Sequence, residues 1–304
     1  MSVCVLGSIN VDIVCTVAEL PAPGETIAAL GMERFFGGKG ANQALASARW
    51  GAATALIGAV GRDEAARDLL DHLSGAGVDI SRIDRIAGQP TGRAHICVSA
   101  AGENMIVVIG GANRAVTGAD IARHDLDPYR VFLAQLETPL DAIEALFAGP
   151  AARRGIRILN AAPAVAEAEA LFPMADILVV NQTELARYGE AADRSPQPPE
   201  VARAARHLIS RHGQSVVVTL GSGGALAVDS TDVTLVEGRP ARVVDTTGAG
   251  DCFCGVLAAS LSDGATLPVA LGKANAAASL STERPGAAVP ATLRADVEAL
   301  GPIR

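Results

Sequence analysis

The chain has 304 residues, 49% hydrophobic and 19% charged, which excludes a disordered chain and allows one large α/β domain or two smaller ones. Lys and Arg total 25 against 33 Asp and Glu, a net charge of −8, which argues against nucleic acid as a partner. Gly or a charged residue interrupts every apolar stretch, which argues against a membrane span, and the opening MSVCVLGSIN lacks the basic segment of a signal peptide.

The chain begins with a strand pattern, SVCVLGSIN, which runs on into Asn10 and Asp12. Period-2 spacing puts those two side chains on one face, suited to a small polar ligand or to a solvated strand end. Strand-like pieces INVDIVCTVAEL and TIAALGMERFF follow with no helix between them. FFGGKGANQALASARWG then reads as a glycine turn into a helix that starts near Gly40. Gly37, Gly38 and Gly40 allow backbone paths closed to bulkier residues. Lys39 brings positive charge, and Asn42 offers sugar hydroxyls both a donor and an acceptor. An ordinary glycine turn before a helix accounts for the same letters.

The strand TALIGAVG and the helix DEAARDLLDHLSGAG come next. RAHICVSA and ENMIVVIGG then flank Ala100-Ala101-Gly102, a hairpin signal. Residues 9–36 and 91–111 therefore predict a small antiparallel sheet projecting from the core. Such a sheet serves as a lid, an interface or an edge extension.

RVFLAQLE, IRILNAAP, DILVVN and SVVVTLG are apolar runs without strict alternation, as in parallel strands buried on both faces. They alternate with helical stretches such as PLDAIEALFAG and PEVARAARHLISRHG, which predicts right-handed βαβ units. Asn181 and Glu184 end one strand and open the next helix; Glu184 either favours the helix dipole or holds Mg²⁺-bound water near phosphates. Ala192–Pro199 has the composition of a solvent loop. Thr219, Gly221, Gly223 and Gly224 form a nucleotide-contacting loop or a plain turn, and GALAVDS with DVTLVEG predicts a further hairpin.

The strongest signal is ARVVDTTGAGDCFCGVLAASL. It predicts a strand ending at Asp245, a turn over Thr246 to Gly250, and a helix beginning near Asp251. Gly248, Ala249 and Gly250 would point bare N–H groups and a helix dipole at a phosphate. Asp251, beside them, is placed to take a proton from an attacking hydroxyl. The alternative is an N-cap Asp after a glycine turn.

The five cysteines have no CxxC spacing and read as reduced thiols of a cytoplasmic protein. The five histidines show no metal-ligand spacing, and no GxSxG, GxGxxG or GxxxxGK[ST] motif occurs.

Together these motifs resemble the ribokinase/PfkB family of carbohydrate kinases over nearly the whole chain. GSINVD, PAPGET, GGKGANQA, the GAN at Gly111 to Asn113, NQTE, TLGSGG and DTTGAGD occur in the family's order. GGKGANQ and DTTGAGD are highly specific, and GGKGANQ with GSINVD is similar to the ribokinase branch rather than to fructokinases or adenosine kinases. The resemblance implies a ribokinase-like α/β fold across residues 1–304, with a central, mostly parallel sheet flanked by helices and a small antiparallel β lid. It implies ATP-dependent phosphorylation of the primary hydroxyl of D-ribose. Asp251 would be the base and Gly248, Ala249 and Gly250 the anion hole. Asn10, Asp12, Gly38, Lys39, Gly40, Asn42 and Glu137 would contact the sugar. Asn181, Thr219, Gly221, Gly224, Gly250 and Asn275 would contact ATP. Glu184 would hold Mg²⁺ through water. Asp245, Thr247, Ser281, Arg284 and Gly286 would hold K⁺, and the lid would pair two subunits. Departures are a short stretch after Gly286 and no acidic residue before the lid turn. A kinase for another sugar or a nucleoside, or a non-catalytic sugar or nucleotide sensor, stands as the alternative.

Overall fold

The structure is a computed structural model that describes residues 1–189, 197–287 and 289–301. Strands that are apolar on both faces need cover on both faces, and the chain supplies it. Ten strands form one sheet in the order Val233–Glu237, Gly224–Val228, Ser215–Thr219, Ile177–Asn181, Ile156–Asn160, Val131–Gln135, Ser2–Leu6, Ala53–Gly61 and Val78–Asp79, with Ile83–Ile86 also paired to Ala53–Gly61. The strands from Ser215–Thr219 onward are parallel; the two preceding them in this order are antiparallel hairpin strands.

Alternate residues of one strand serve different layers. Val3 and Val5 pack with the helices Lys39–Trp50, Glu64–Gly75, Ala249–Ser262, Leu267–Ser281 and Leu293–Glu298. Cys4 and Leu6 pack with Leu140–Ala148, Pro150–Arg154, Gln182–Tyr188 and Pro198–His207 on the other face. Ala249–Ser262 is apolar nearly all round because it runs between its neighbours Lys39–Trp50 and Leu267–Ser281 as well as over the sheet.

A second sheet of four strands has the order Gly31–Gly37, Asn10–Val17, Gly92–Ser99, Asn104–Ile109. Its two outer pairings are antiparallel, and its middle pairing is parallel, with Asn10 opposite Gly92. The chain returns to the main sheet between these two strands, so both leave the core from the same end.

One expected strand is absent. Residues 238–248 pair with no strand. The N–H groups of Val244 and Asp245 instead donate to the Thr282 carbonyl at 2.8 and 3.1 Å, where the helix Leu267–Ser281 ends. Val233–Glu237 is the edge strand of the sheet, and the valines of ARVVD, held off it, are left largely exposed. The loop read at 192–199 lies mostly outside the described residues; Pro198 and Pro199 open a helix. Among the described residues no helix is long and apolar enough to cross a membrane.

Candidate active site

Neighbouring parallel strands end on polar residues: Gln135, Asn160, Asn181 and Thr219. Ligands of open α/β sheets bind beyond such carboxyl ends. Here Asn160, Asn181, Glu184 and Thr219 line a cleft of about 210 Å³ with Lys39, Gly248, Gly250 and Asp251. The last three come from the turn and helix that cross above the sheet, so the expected turn reaches the cleft without a strand before it.

Gly248 caps that helix in the left-handed region, φ 73°. A side chain there would be strained by the backbone and would meet Cβ of Ala287 at 2.5 Å. The Ala249 N–H turns back to the Thr246 carbonyl at 3.2 Å. Of the three residues expected to form an anion hole, Gly248 and Gly250 line the cleft and Ala249 does not.

Asp251 is 7% exposed, and its orientation is fixed by two donors. The Asn42 amide donates to one carboxylate oxygen at 3.1 Å and the Gln43 amide to the other at 2.9 Å. Gln43 is itself held, since its carbonyl oxygen accepts from the Gln135 amide at 2.7 Å. Both glutamines are fully buried. Sequence reasoning chose Asn42 and missed Gln43 and Gln135. Gln43→Leu would leave a carboxylate oxygen and the Gln135 amide unpaired, each a buried group costing about 1–3 kcal/mol. Denaturant titration is expected to show that loss of stability, and kcat is expected to fall while the sugar KM changes little.

Asn10 and Asp12 belong to the small-sheet strand Asn10–Val17, Glu137 follows the strand Val131–Gln135, and none of the three lines the cleft. Asn10 is buried and accepts from the Asn113 amide at 2.7 Å; Asn113 also accepts the Ile9 N–H at 2.9 Å. The GAN motif thus fixes the start of the Asn10 strand. Glu137 accepts from the Ser8 hydroxyl and, at 3.3 Å, from the Lys39 N–H. Gly38 is the residue that caps this helix, and Gly40 packs its first turn against Gly7. The Asp251 carboxylate raises the Lys39 pKa, burial opposes it, and Glu137 and Glu184 add to the rise.

Asp12 is pushed up from 3.8 to about 6, by burial first and then by Glu137 and Asp251. A carboxyl raised by folding keeps its proton between those values, where the unfolded chain has already lost it. Stability from this group is therefore complete below about pH 4 and is lost as pH rises through about 6. Asp12→Asn is expected to raise Tm at about pH 7, to leave it unchanged below the unfolded carboxyl's range, and to weaken sugar binding. Thermal melts across that range check the sign.

Glu184 and Asn181 form a capping box, at 2.9 Å from the Asn181 N–H to the carboxylate and 2.8 Å from the Glu184 N–H to the Asn181 side chain. Burial raises the Glu184 pKa against the Asn181 N–H and Lys39. Gly221 and Gly224 bracket the short helical turn that joins two hairpin strands. Asn275 lies outside the cleft lining, with its amide donating to the Glu237 carbonyl at 2.9 Å. Asp245 ties two turns together by accepting from the Thr247 and Gly286 N–H groups, each at 2.8 Å. Burial raises its pKa, but these bonds outweigh that and keep it low. The Ser281 hydroxyl donates to the Ala278 carbonyl, and the Arg284 N–H to the Ser281 carbonyl. Asn160 lines the cleft and was not singled out from sequence, although IRILN ends a strand as DILVVN does.

A carboxylate and a glycine turn share the cleft at the mouth of a doubly covered sheet, which are groups that phosphoryl transfer uses. Residues 1–293 match the pfkB family of carbohydrate kinases, and the chain belongs to that family, as a sugar kinase of the ribokinase type. The bifunctional ribokinase/ribose-5-phosphate isomerase A of Fructilactobacillus sanfranciscensis is 38% identical over 291 residues, 93% of this chain; the chain spans 53% of that protein's length. Haemophilus influenzae ribokinase is 34% identical over 293 residues, covering 93% of this chain and 92% of its own. The structure of Arabidopsis thaliana ribokinase complexed with ribose and ATP matches with a TM-score of 0.85 at 28% identity, over 97% of this chain and 98% of that one.

Proposed function

We propose that the chain transfers the γ-phosphoryl group of ATP to the primary hydroxyl of D-ribose, giving ribose 5-phosphate and ADP. The observation that carries this reading is the buried Asp251, oriented by two amides beside the Gly248–Gly250 turn. Asn10, Asp12, Lys39, Asn42 and Glu137 hold the sugar so that its hydroxyl faces Asp251. The carboxylate takes the hydroxyl proton as the oxygen attacks in line, and ADP leaves. Amides of the turn and Lys39 stabilise charge on the phosphoryl oxygens. Asn181, Thr219, Gly221, Gly224 and Asn275 accommodate the nucleotide. The ribose and ATP bound to the Arabidopsis relative support both ligands.

Glu184 is a cleft carboxylate suited to a hard cation's water shell, and Mg²⁺ there would neutralise phosphate charge. Asp245 with Thr247, Ser281, Arg284 and Gly286 brings together two turns whose donors are carboxylate, hydroxyl and carbonyl oxygens, a set that fits K⁺. The small sheet acts as the lid. Its edge strand Asn104–Ile109 is exposed along its whole length and apolar from Met105 onward, which supports pairing of two subunits there.

An ADP-release assay over ribose, 2-deoxyribose, fructose and adenosine, with and without K⁺, tests the reading. Ribose is expected to give the highest kcat/KM. A higher value for any other substrate overturns the assignment to ribose and leaves the kinase class in place.

A further inference from the structure

A separate cavity of about 230 Å³ lies where four segments meet: the small-sheet strand Gly31–Gly37, the helices Lys39–Trp50 and Glu64–Gly75, and the turn at 285–287. It shares no lining residue with the cleft that holds Asp251. Of the expected sugar contacts only Asn42 reaches it. The strand that walls it is the opposite edge of the small sheet from Asn104–Ile109, so pairing of subunits at that edge leaves it free.

The lining is apolar and aromatic. Leu45, Leu69 and Leu73 are buried. Phe35 and Phe36 add two of the chain's six phenylalanines. The Phe36 ring meets the His72 imidazole at 4.7 Å between centroids and leaves the residue 37% exposed. The chain's net charge is −8, yet no Asp or Glu lines this cavity. Arg34 does, and among the described residues no carboxylate pairs with it. Arg49, on the helical stripe of Asn42 and Leu45, has a buried Nε–H with no acceptor in the protein. Burial and then Arg49 lower the pKa of His72, so the imidazole is neutral at pH 7 and the positive charge here belongs to the arginines.

Size and lining decide what fits. An apolar cavity of about 150 Å³ takes benzene, so this one has room for one ring with a small substituent. A guanidinium matches a carboxylate through two parallel N–H donors. A cation would meet Arg34 with no lining carboxylate to offset it, and a sugar would bury hydroxyls against leucines.

We infer that this cavity binds a one-ring aromatic carboxylate, its ring among Phe35, Phe36 and the leucines and its carboxylate toward Arg34, and that this ligand tightens sugar binding. The walls come from both the small sheet and the core, so a ligand that needs both favours the arrangement in which they meet. Two wall residues reach the candidate active site: Phe35 pairs with Asp12 across the strands, and the Asn42 amide donates to Asp251. Binding in the cavity stands apart from the kinase reading; the coupling to sugar rests on it.

The test follows 4-fluorobenzoate by fluorine NMR with the full-length protein. The wild type is expected to bind it saturably at about 1–10 mM, the range a ten-atom ligand reaches. Benzoate is expected to displace it, and benzylamine is not. R34Q and F36A change exposed positions; each is expected to weaken the probe about 5-fold while keeping wild-type circular dichroism and probe-free turnover. Ribose is expected to tighten the probe at least ~5-fold, and the probe to tighten ribose by the same factor in calorimetry. The inference is overturned if the wild type shows no saturable binding up to about 50 mM, if benzylamine competes as well as benzoate, or if both variants bind as wild type does. Displacement of the probe by ribose would place it in the sugar site and overturn the separate cavity. Probe affinity unchanged by bound ribose would overturn the coupling.

Discussion

Asp251→Asn is expected to lose at least ~10²-fold in turnover, as removal of a general base does, while still binding sugar. The exchange keeps the shape and removes the proton acceptor. It also disturbs one pair. The Asn42 and Gln43 amides each donate to a different oxygen of Asp251, and an amide has only one oxygen to offer them. A stability loss of about 1–3 kcal/mol should accompany the kinetic one. The two are separable by measuring turnover well below Tm and sugar binding by calorimetry. Wild-type-like turnover would remove Asp251 from the chemistry. Loss of both sugar binding and the folded circular dichroism spectrum would mean that its role is structural.

Gly40→Ala is expected to be as damaging without removing any functional group. A Cβ on Gly40 would lie 2.4 Å from the Gly7 carbonyl carbon and 2.6 Å from its Cα. These are backbone atoms that end the strand Ser2–Leu6, so neither can swing aside. Carbon contacts settle at about 3.5 Å, so the helix must shift by about 1 Å. That helix carries Lys39, Asn42 and Gln43 toward Asp251. A misplacement of about 1 Å at reacting groups costs about 10²-fold in rate. Overpacking adds about 1–3 kcal/mol of instability. Kinetics with denaturant titration check both, and Gly40→Ser should behave as Gly40→Ala does, because the first side-chain atom is the cause.

The glycine turns were legible because their letters report a local backbone need. Gly248 takes a left-handed φ, and Gly40 sits where another chain segment leaves no room. Asp251 was legible for the same reason, as the first acidic residue after such a turn. Gln43 and Gln135 were not. Each reads as an ordinary polar position, one in a helix and one at a strand end. Their burial arises only when the helix Ala249–Ser262 packs against Lys39–Trp50, a contact between segments about 200 residues apart in sequence. The strand expected at ARVVD failed for the converse reason. Its residues favour a strand, but the Thr282 carbonyl took the Val244 and Asp245 N–H groups, so the segment follows the end of the helix Leu267–Ser281 and not the sheet edge. The parallel middle pair of the small sheet was also hidden, since it depends on where the chain re-enters the core.

The most direct measurement is a structure of the chain with ribose and a non-hydrolysable ATP analogue. The sugar's primary hydroxyl should lie within hydrogen-bond reach of Asp251, about 2.6–3.2 Å, with the γ-phosphoryl analogue over the Gly248–Gly250 turn. A sugar bound with that hydroxyl pointing away from Asp251, or a nucleotide whose last phosphate sits elsewhere, would contradict the account.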